Sequence, residues 1–452
     1  MREIRLLVPN GCIGVGYPLA SFEEGLKRKP DLIGADAGST DVGPYYLGAG
    51  ISWTGRSVVK RDLTPVLLAG RRHGIPVVVG TAGGSGAEPH LQWCLKIVHE
   101  IAREHDLHMR MAIIHAEQSK EALKAELAAG KIRPLGPVPQ LTSEDIDKCE
   151  HVVGQMGIQP FIKALDEGAE VIIAGRACDV AVLAALPIMR GFDEGLVMHA
   201  AKIVECGAFC SVPGSGADSI MAHIRDDHFL LEPLNPIRRC TPISVAAHTL
   251  YEQDHPYYLY EPTGLLDLSE CSYEQYDERI TKVMGSRFIP AKKQTIKLEG
   301  SKKVGHRTVF VGGVRDPIMI RQIDEVLEAV RRKVVDTLTD VPAEDYILRF
   351  NVYGRDGTMG EMEPHRERMG HELGLVIEVV AKTRELADDI CALAKVSALH
   401  YHYQGRISTA GNLACLFSPV EAYWGQVYEF NVYHLLETDE PEKWFPIEYH
   451  QV

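Results

Sequence analysis

The sequence predicts an α/β fold, with an N-terminal domain built on a mainly parallel sheet and a C-terminal α+β domain of ferredoxin-like order. Three observations carry this. Short apolar strand patterns alternate with helical ones through the first half, as in a parallel sheet with helices packed on it. After about residue 290 the order becomes strand–helix–strand–strand–helix–strand, that of a split βαβ unit. The length of 452 residues suits two or three domains at roughly 150 residues each.

The elements follow in order. Ile4–Val8 is an apolar strand entered at once. Arg2, Glu3, Arg5 and Pro9 leave no room for a signal-type apolar core. A helical stretch around Phe22–Lys29 leads to a second strand, Leu32–Ala35. Ile75–Gly80 is a β-branched run of the buried parallel kind. It feeds a glycine loop and the helix Gln92–His105, with apolar positions at Leu91, Cys94, Leu95, Val98 and Ile101. Met109–Ile114 is a strand. Ser119–Ala129 is a helix stopped by Gly130. Phe161–Gly168 reads as a helix and Glu170–Ala174 as a strand. Residues 206–290, rich in Pro, His and Tyr, read as an irregular bridging or lid segment. Beyond them come the strand Val304–Gly312, the helix Ile318–Leu338, the strands Asp345–Tyr353 and Leu373–Val380, the helix Arg384–His400 and the strand Gly425–Leu435. The expected domains are therefore 1–290, carrying the ligand site, and 291–452.

Composition removes several functions. Lys plus Arg is 48 and Asp plus Glu is 62, a net charge of −14. Phosphate neutralisation needs a basic excess or stripe, so nucleic acid is not an expected partner. No apolar run reaches the roughly 18 residues of a membrane span. The ten cysteines include no CxxC pair and suit reduced thiols in a cytoplasmic protein.

Ligands of open α/β sheets bind beyond the carboxyl ends of the strands, and the candidate residues cluster there. Gly34-Ala35-Asp36-Ala37-Gly38-Ser39-Thr40-Asp41-Val42-Gly43 places two carboxylates and two hydroxyls on a glycine-rich backbone. A capped polar turn needs only one or two of them. Asp36 and Asp41 are therefore candidate proton carriers, and Ser39 and Thr40 candidate ligand contacts. Gly80-Thr81-Ala82-Gly83-Gly84-Ser85-Gly86 precedes a helix, where free N–H groups attract anions. Gly83, Gly84 and Ser85 are the expected contacts, a plain glycine turn being the equal alternative. The loop matches neither a Walker nor a dinucleotide fingerprint, so NAD, flavin and ATP are not expected. Gly175-Arg176-Ala177-Cys178-Asp179 offers Arg176 for a carboxylate, unless Asp179 is its internal partner. His115 stands at another strand end. Glu205, with Lys202 three positions before it, is a candidate acid–base group; Cys206 would need a cation to become a nucleophile. Arg406 could add to an anion site. Asp36, Asp41 and Asp179 are hard ligands suited to Mg²⁺ or another divalent cation, and the nineteen histidines form no zinc spacing.

The segments GADAGSTDVG (34–43), GRACD (175–179), RCTPISVAAHTLYE (239–252), 351–364 and STAGNLACLFSP (408–419) together resemble the acyclic terpene utilisation family, AtuA. The resemblance covers nearly the whole chain. It implies a bacterial catabolic protein linked to methyl-branched acids, and carries over no catalytic residue. With the strand-end residues it gives the expected function: a hydro-lyase or isomerase acting by proton abstraction on a small carboxylic acid or its acyl-CoA ester. A hydrolase, or a non-catalytic subunit working with a small partner protein, are the alternatives. Asp36, Asp41, His115, Asp179 and Glu205 are the expected catalytic set. A small anionic substrate and a homo-oligomer are expected.

Overall fold

Five short apolar runs form the centre of a ten-stranded sheet in the computed structural model, which describes residues 2–407 and 410–452. They are β1 (Glu3–Val8), β2 (Leu32–Gly38), β3 (Val77–Gly84), β4 (Arg110–Ile114) and β5 (Val171–Ala174). They lie side by side as β1-β2-β3-β5-β4, every neighbour parallel. All residues of β2, β3 and β5 are buried, because helices cover both faces and no side of the pleat can be polar.

The sheet is mixed rather than mainly parallel. Ile220–Arg225 pairs antiparallel with β1, and Phe229–Pro233, Thr281–Met284 and Ser272–Gln275 extend that edge, all antiparallel. At the other edge Ile447–Gln451 runs antiparallel to β4. This corrects the reading of 206–290 as irregular. The segment completes the sheet, adds the helix Pro242–Thr249, and folds Tyr258–Glu261, Gly264–Asp267 and Arg287–Pro290 into a small antiparallel sheet. Its strands have at most six residues, too short for period-two alternation to stand out among Pro, His and Tyr.

Alternate strand residues feed two cores. Ile4, Leu6, Val8 and Ile172 face helices Gln159–Asp166, Asp179–Met189 and Glu194–Val204. Leu7, Ile33, Val77, Val79 and Ile173 face Leu19–Lys27, Arg56–His73 and Glu88–Glu104. Arg56–His73 escaped the sequence reading because Pro65 and Gly70 interrupt it. Its buried Val59, Leu63, Val66 and Leu67 nonetheless keep helical spacing.

The chain divides into two compact units, Met1–Lys302 with Phe430–Val452, and Lys303–Glu429. The C-terminus returns to the first unit because Ile447–Gln451 pairs with β4 and Phe445 is buried in its core. In the second unit the strand ending at Val314 is followed by helices Pro317–Arg321 and Ile323–Thr337. Strands Tyr346–Tyr353 and Leu373–Ala381, helix Arg384–His400 and the strand beginning at Glu421 complete it. Leu373–Ala381 pairs antiparallel with both earlier strands. Its burial alternates residue by residue, the inner face meeting the helices. The helix expected over Ile318–Leu338 is broken at Gln322, which caps the end of one helix and the start of the next. Ser408 and Thr409, which open the last motif, lie outside the described residues.

Candidate functional site

In the first unit, the carboxyl ends of β1, β2, β3 and β5 and the end of helix Glu194–Val204 bring buried charges together. Asp36 is the fifth residue of β2. Its Oδ2 accepts the Gly38 N–H at 3.0 Å, while Oδ1 is buried without a partner. Burial and the nearby charge of Asp179 push its carboxyl well above the usual range. Asp179 opens the helix after β5. Its side chain keeps 36% accessibility, yet enough protein surrounds it for burial to push its carboxyl upward, against Arg176 and Lys202. Its Oδ1 also lacks a partner.

Glu205 completes the set. Lys202 Nζ donates to its Oε1 at 2.5 Å, one helical turn away, while Oε2 is buried and unpartnered. Burial pushes this carboxyl up to about 8, with Lys202 opposing and Asp179 and Glu261 adding to the effect. Glu261, on the small sheet, is pushed up to about 7 by burial; its hydrogen-bond partner is the Cys178 thiol, at 3.3 Å. Burial first, and then repulsion among these carboxylates, favours their protonated forms. Their charges also reach Cys12 and Cys206, whose thiols burial pushes upward. Neither cysteine is an activated nucleophile.

Beneath this set lies a matched knot. Arg176 Nε donates to Glu299 Oε2 at 2.7 Å, Lys297 Nζ lies 2.8 Å from Oε1, and the Thr40 hydroxyl donates to Oε1 at 2.8 Å. Burial alone would raise the Glu299 carboxyl; Arg176 and Lys297 outweigh it and hold it near 2. The carboxylate partner of Arg176 is thus Glu299 rather than Asp179, which stands 3.9 Å away. Two guanidinium nitrogens are committed to Glu299 and the third donates to the Ala177 carbonyl at 3.2 Å. Arg176 therefore brings charge to the site without a free fork for a substrate carboxylate.

The other candidates fall elsewhere. Ser39 and Asp41 form an exposed turn in which the Ser39 hydroxyl donates to Asp41 Oδ2 at 2.5 Å. Asp41 still acts on the Asp179 charge. The glycine loop is mostly strand, since β3 continues to Gly84. A Cβ at Gly83 would lie 2.2 Å from the His90 carbonyl, and one at Gly86, with φ +69°, 2.1 Å from the Arg176 nitrogen. These glycines, with Gly84 packed on Trp53, let the strand ends close on each other rather than cradle an anion. Ser85 is fully buried, its hydroxyl without a partner. His115 follows β4 directly and is held by Glu88 Oε2 at 2.8 Å, with Glu448 at 3.6 Å. Arg406 belongs to the second unit, where it donates to the His400 and Tyr401 carbonyls at 3.2 Å, closing a helix end. Among the described residues no group of three or more His, Cys, Asp or Glu side chains is arranged to hold a metal ion, so Asp36, Asp41 and Asp179 form no ready cation cage.

Sequence reasoning missed Glu299, Lys297, Glu261, Thr81 and Asp62. Thr81 holds the Asp36 carboxyl down against its burial, its hydroxyl accepting the Ala177 N–H at 3.3 Å, and its positive φ of 45° was hidden among glycines. Buried Asp62 accepts the Gly14 and Gly16 amides at 2.9 and 2.8 Å. It thereby fixes the loop that carries Cys12.

The fold and site define an α/β protein with a cluster of buried carboxyl groups at the strand ends. Residues 56–218 match the model of the acyclic terpene utilisation family protein AtuA, which bears out the family resemblance read from the sequence over that part of the chain. No curated protein and no solved structure matches the chain. No helix among the described residues is long and apolar enough to cross a membrane.

Proposed function

We propose that the chain is a catabolic enzyme that moves protons on a small carboxylic acid or its acyl thioester, as a hydro-lyase or isomerase. The observation that carries the reading is the trio Asp36, Asp179 and Glu205, each with one carboxyl oxygen lacking a partner. Burial raises all three carboxyls, Glu205 up to about 8, and a carboxyl raised toward working pH can both accept and donate a proton. Asp179, the reachable member, takes the proton beside the substrate carbonyl. Glu205, protonated, gives one up. In a dehydration the C–H electrons form the double bond as the C–O bond breaks, and the Glu205 proton leaves with the hydroxyl as water. In an isomerisation the proton returns to a different carbon. Lys202 steadies the negative charge, and Asp36 couples to Asp179. Acyclic terpene utilisation, the family's name, supports a catabolic role. The protein is read as a cytoplasmic homo-oligomer whose second unit, ferredoxin-like in order, serves association.

The test is turnover by purified protein of hydroxy acids, unsaturated acids and their CoA esters, with and without Mg²⁺ or Mn²⁺. Exchange of the α-proton in D₂O is followed in parallel. Turnover or exchange is expected. Its absence across the panel, or its survival at full rate in both Asp179→Asn and Glu205→Gln, overturns the reading.

A further inference from the structure

Between Asp36 and Gly38 the pairing of β2 with β3 slips. Asp36 faces Gly80 and Gly38 faces Gly84, so Ala37 alone stands opposite Thr81, Ala82 and Gly83. The extra residues of β3 make a bulge, a device that re-aims a side chain at a strand end. Thr81 opens it with φ +45°. Among the described residues, three other non-glycines have a positive φ, Lys29, Asp106 and Glu252, and all three are exposed. Thr81 is fully buried and β-branched, the kind of residue for which this conformation is a true outlier. Glycine would take the same backbone without strain. What the strain secures is therefore the side chain.

That side chain joins two strand ends. Its oxygen accepts the Ala177 N–H at 3.3 Å, and its proton has the Ala177 carbonyl at 3.4 Å. The Thr81 N–H donates to the Gly175 carbonyl at 3.0 Å. A Cβ on Gly80, the residue before Thr81, would lie 3.4 Å from Asp36 Oδ1 and 3.5 Å from the Ala177 Cβ, so the carboxyl and the turn after β5 meet at this point of β3. Burial and Asp179 raise the Asp36 carboxyl, while the Gly38 amide, Arg176 and the Thr81 hydroxyl hold it down. Cys12, from the loop after β1, also feels the Asp36 charge. The single Thr81 hydroxyl proton thus has two acceptors. An ionised Asp36 draws it; a protonated Asp36 releases it to the Ala177 carbonyl. Ala177 leads into Cys178, the N-cap of the helix that Asp179 opens.

We infer that Thr81 is a positioning residue: set by the bulge, its hydroxyl ties Asp36 to the Ala177 turn, so that a change of proton at Asp36 is passed to the start of the helix carrying Asp179. This deepens the proton-transfer reading above and rests on it for its chemistry.

Carboxyl NMR of protein carrying isotope-labelled aspartate tests the tie without any turnover, the Asp36 signal being assigned by its absence in Asp36→Asn. Thr81→Gly keeps the backbone free of strain and Thr81→Ala keeps a Cβ; both lack the hydroxyl, which Thr81→Ser restores. Thermal melts confirm that each variant is folded. In the two hydroxyl-free variants Asp36 should ionise about one pH unit higher than in the wild type, a tenfold gain in proton affinity. The Ala177 amide signal, which should follow Asp36 in the wild type, should follow it less. Thr81→Ser should behave as the wild type does. An Asp36 signal that both hydroxyl-free variants leave unmoved, whether it titrates or stays protonated at every pH the fold survives, overturns the tie. So does a shift that Thr81→Ser fails to reverse. Continued α-proton exchange with Asp36 unmoved removes the tie and leaves the proton-transfer reading. An Asp36 shift with no exchange on any acid upholds the tie and removes that reading.

Discussion

Glu205 and Glu299 are both deeply buried carboxylates of the first unit, and they titrate at opposite ends of the scale. Glu205 has one cation and an empty oxygen, and is pushed up to about 8. Glu299 has two cations and a hydroxyl, and is held near 2. Burial is common to both, so partners decide. A carboxylate whose lone pairs are filled stays ionised and organises the residues around it. One left short of partners keeps a proton within reach of neutral pH, at a cost in stability that a purely structural residue has no reason to carry.

Proton transfer gives the largest expected effect. Asp179→Asn and Glu205→Gln keep shape and lose proton-carrying ability, so each should lower kcat by about 10²–10⁴-fold. The urea midpoint of Asp179→Asn should stay near that of the wild type, whereas Glu205→Gln, which takes the carboxylate from buried Lys202, should also lose some stability. A large stability loss with unchanged kcat would turn the unmatched cluster into a second structural knot and dissolve the contrast.

Glu299→Gln tests the other side. Removing the charge leaves Arg176 buried and Lys297 without its carboxylate. Breaking such a pair costs about 3–5 kcal/mol, read as a fall in the urea midpoint. The sign in pH follows. Glu299 is depressed below the ordinary glutamate value, so its contribution is complete above about pH 4.3 and is lost as pH falls toward about 2. The variant should lack that part of the acid sensitivity. A midpoint shift worth less than about 1 kcal/mol would mean that the knot behaves like a surface pair.

Glu261→Gln sharpens the comparison in the opposite pH window. Its carboxyl is raised to about 7, so the protonated form is the one the fold accommodates. Stability is complete below about pH 4.3 and falls as pH rises through 7. The wild type should be less stable at pH 9 than at pH 6, and Glu261→Gln should flatten that slope, by on the order of 1–2 kcal/mol. An unchanged slope would show that Glu261 ionises freely.

Much of the unmatched cluster was legible in the sequence, while the knot was not, and the reason is physical. Asp36, Asp179 and Glu205 stand at strand or helix ends beside glycines, where local pattern and the strand-end rule locate them. Glu299 sits within the long strand Gln294–Val314, and nothing local marks it. Its meaning comes from Arg176, 123 positions away. The same limit governs the fold. The β1–β5 strands were readable because burial on both faces makes them continuous apolar runs. The antiparallel edge strands were not, since their identity depends on which partner they meet. Gly83 and Gly84 were read as a ligand cradle because composition cannot distinguish a backbone that approaches a ligand from one that approaches His90 or Trp53.

Thr40 gives the smallest effect and the finest cut between the two regions. Its segment suggested a ligand contact, but its hydroxyl donates to Glu299 and it is only 3% accessible. Thr40→Val keeps the branched shape and removes one hydrogen bond from a carboxylate that retains Arg176 and Lys297. The loss should be about 1 kcal/mol in urea unfolding, with kcat and KM each within about twofold, since no proton-carrying oxygen is touched. If instead KM rose about tenfold or more at unchanged stability, Thr40 would be reaching ligand. The floor of the site would then extend into the knot, and matched and unmatched carboxylates would belong to a single machine.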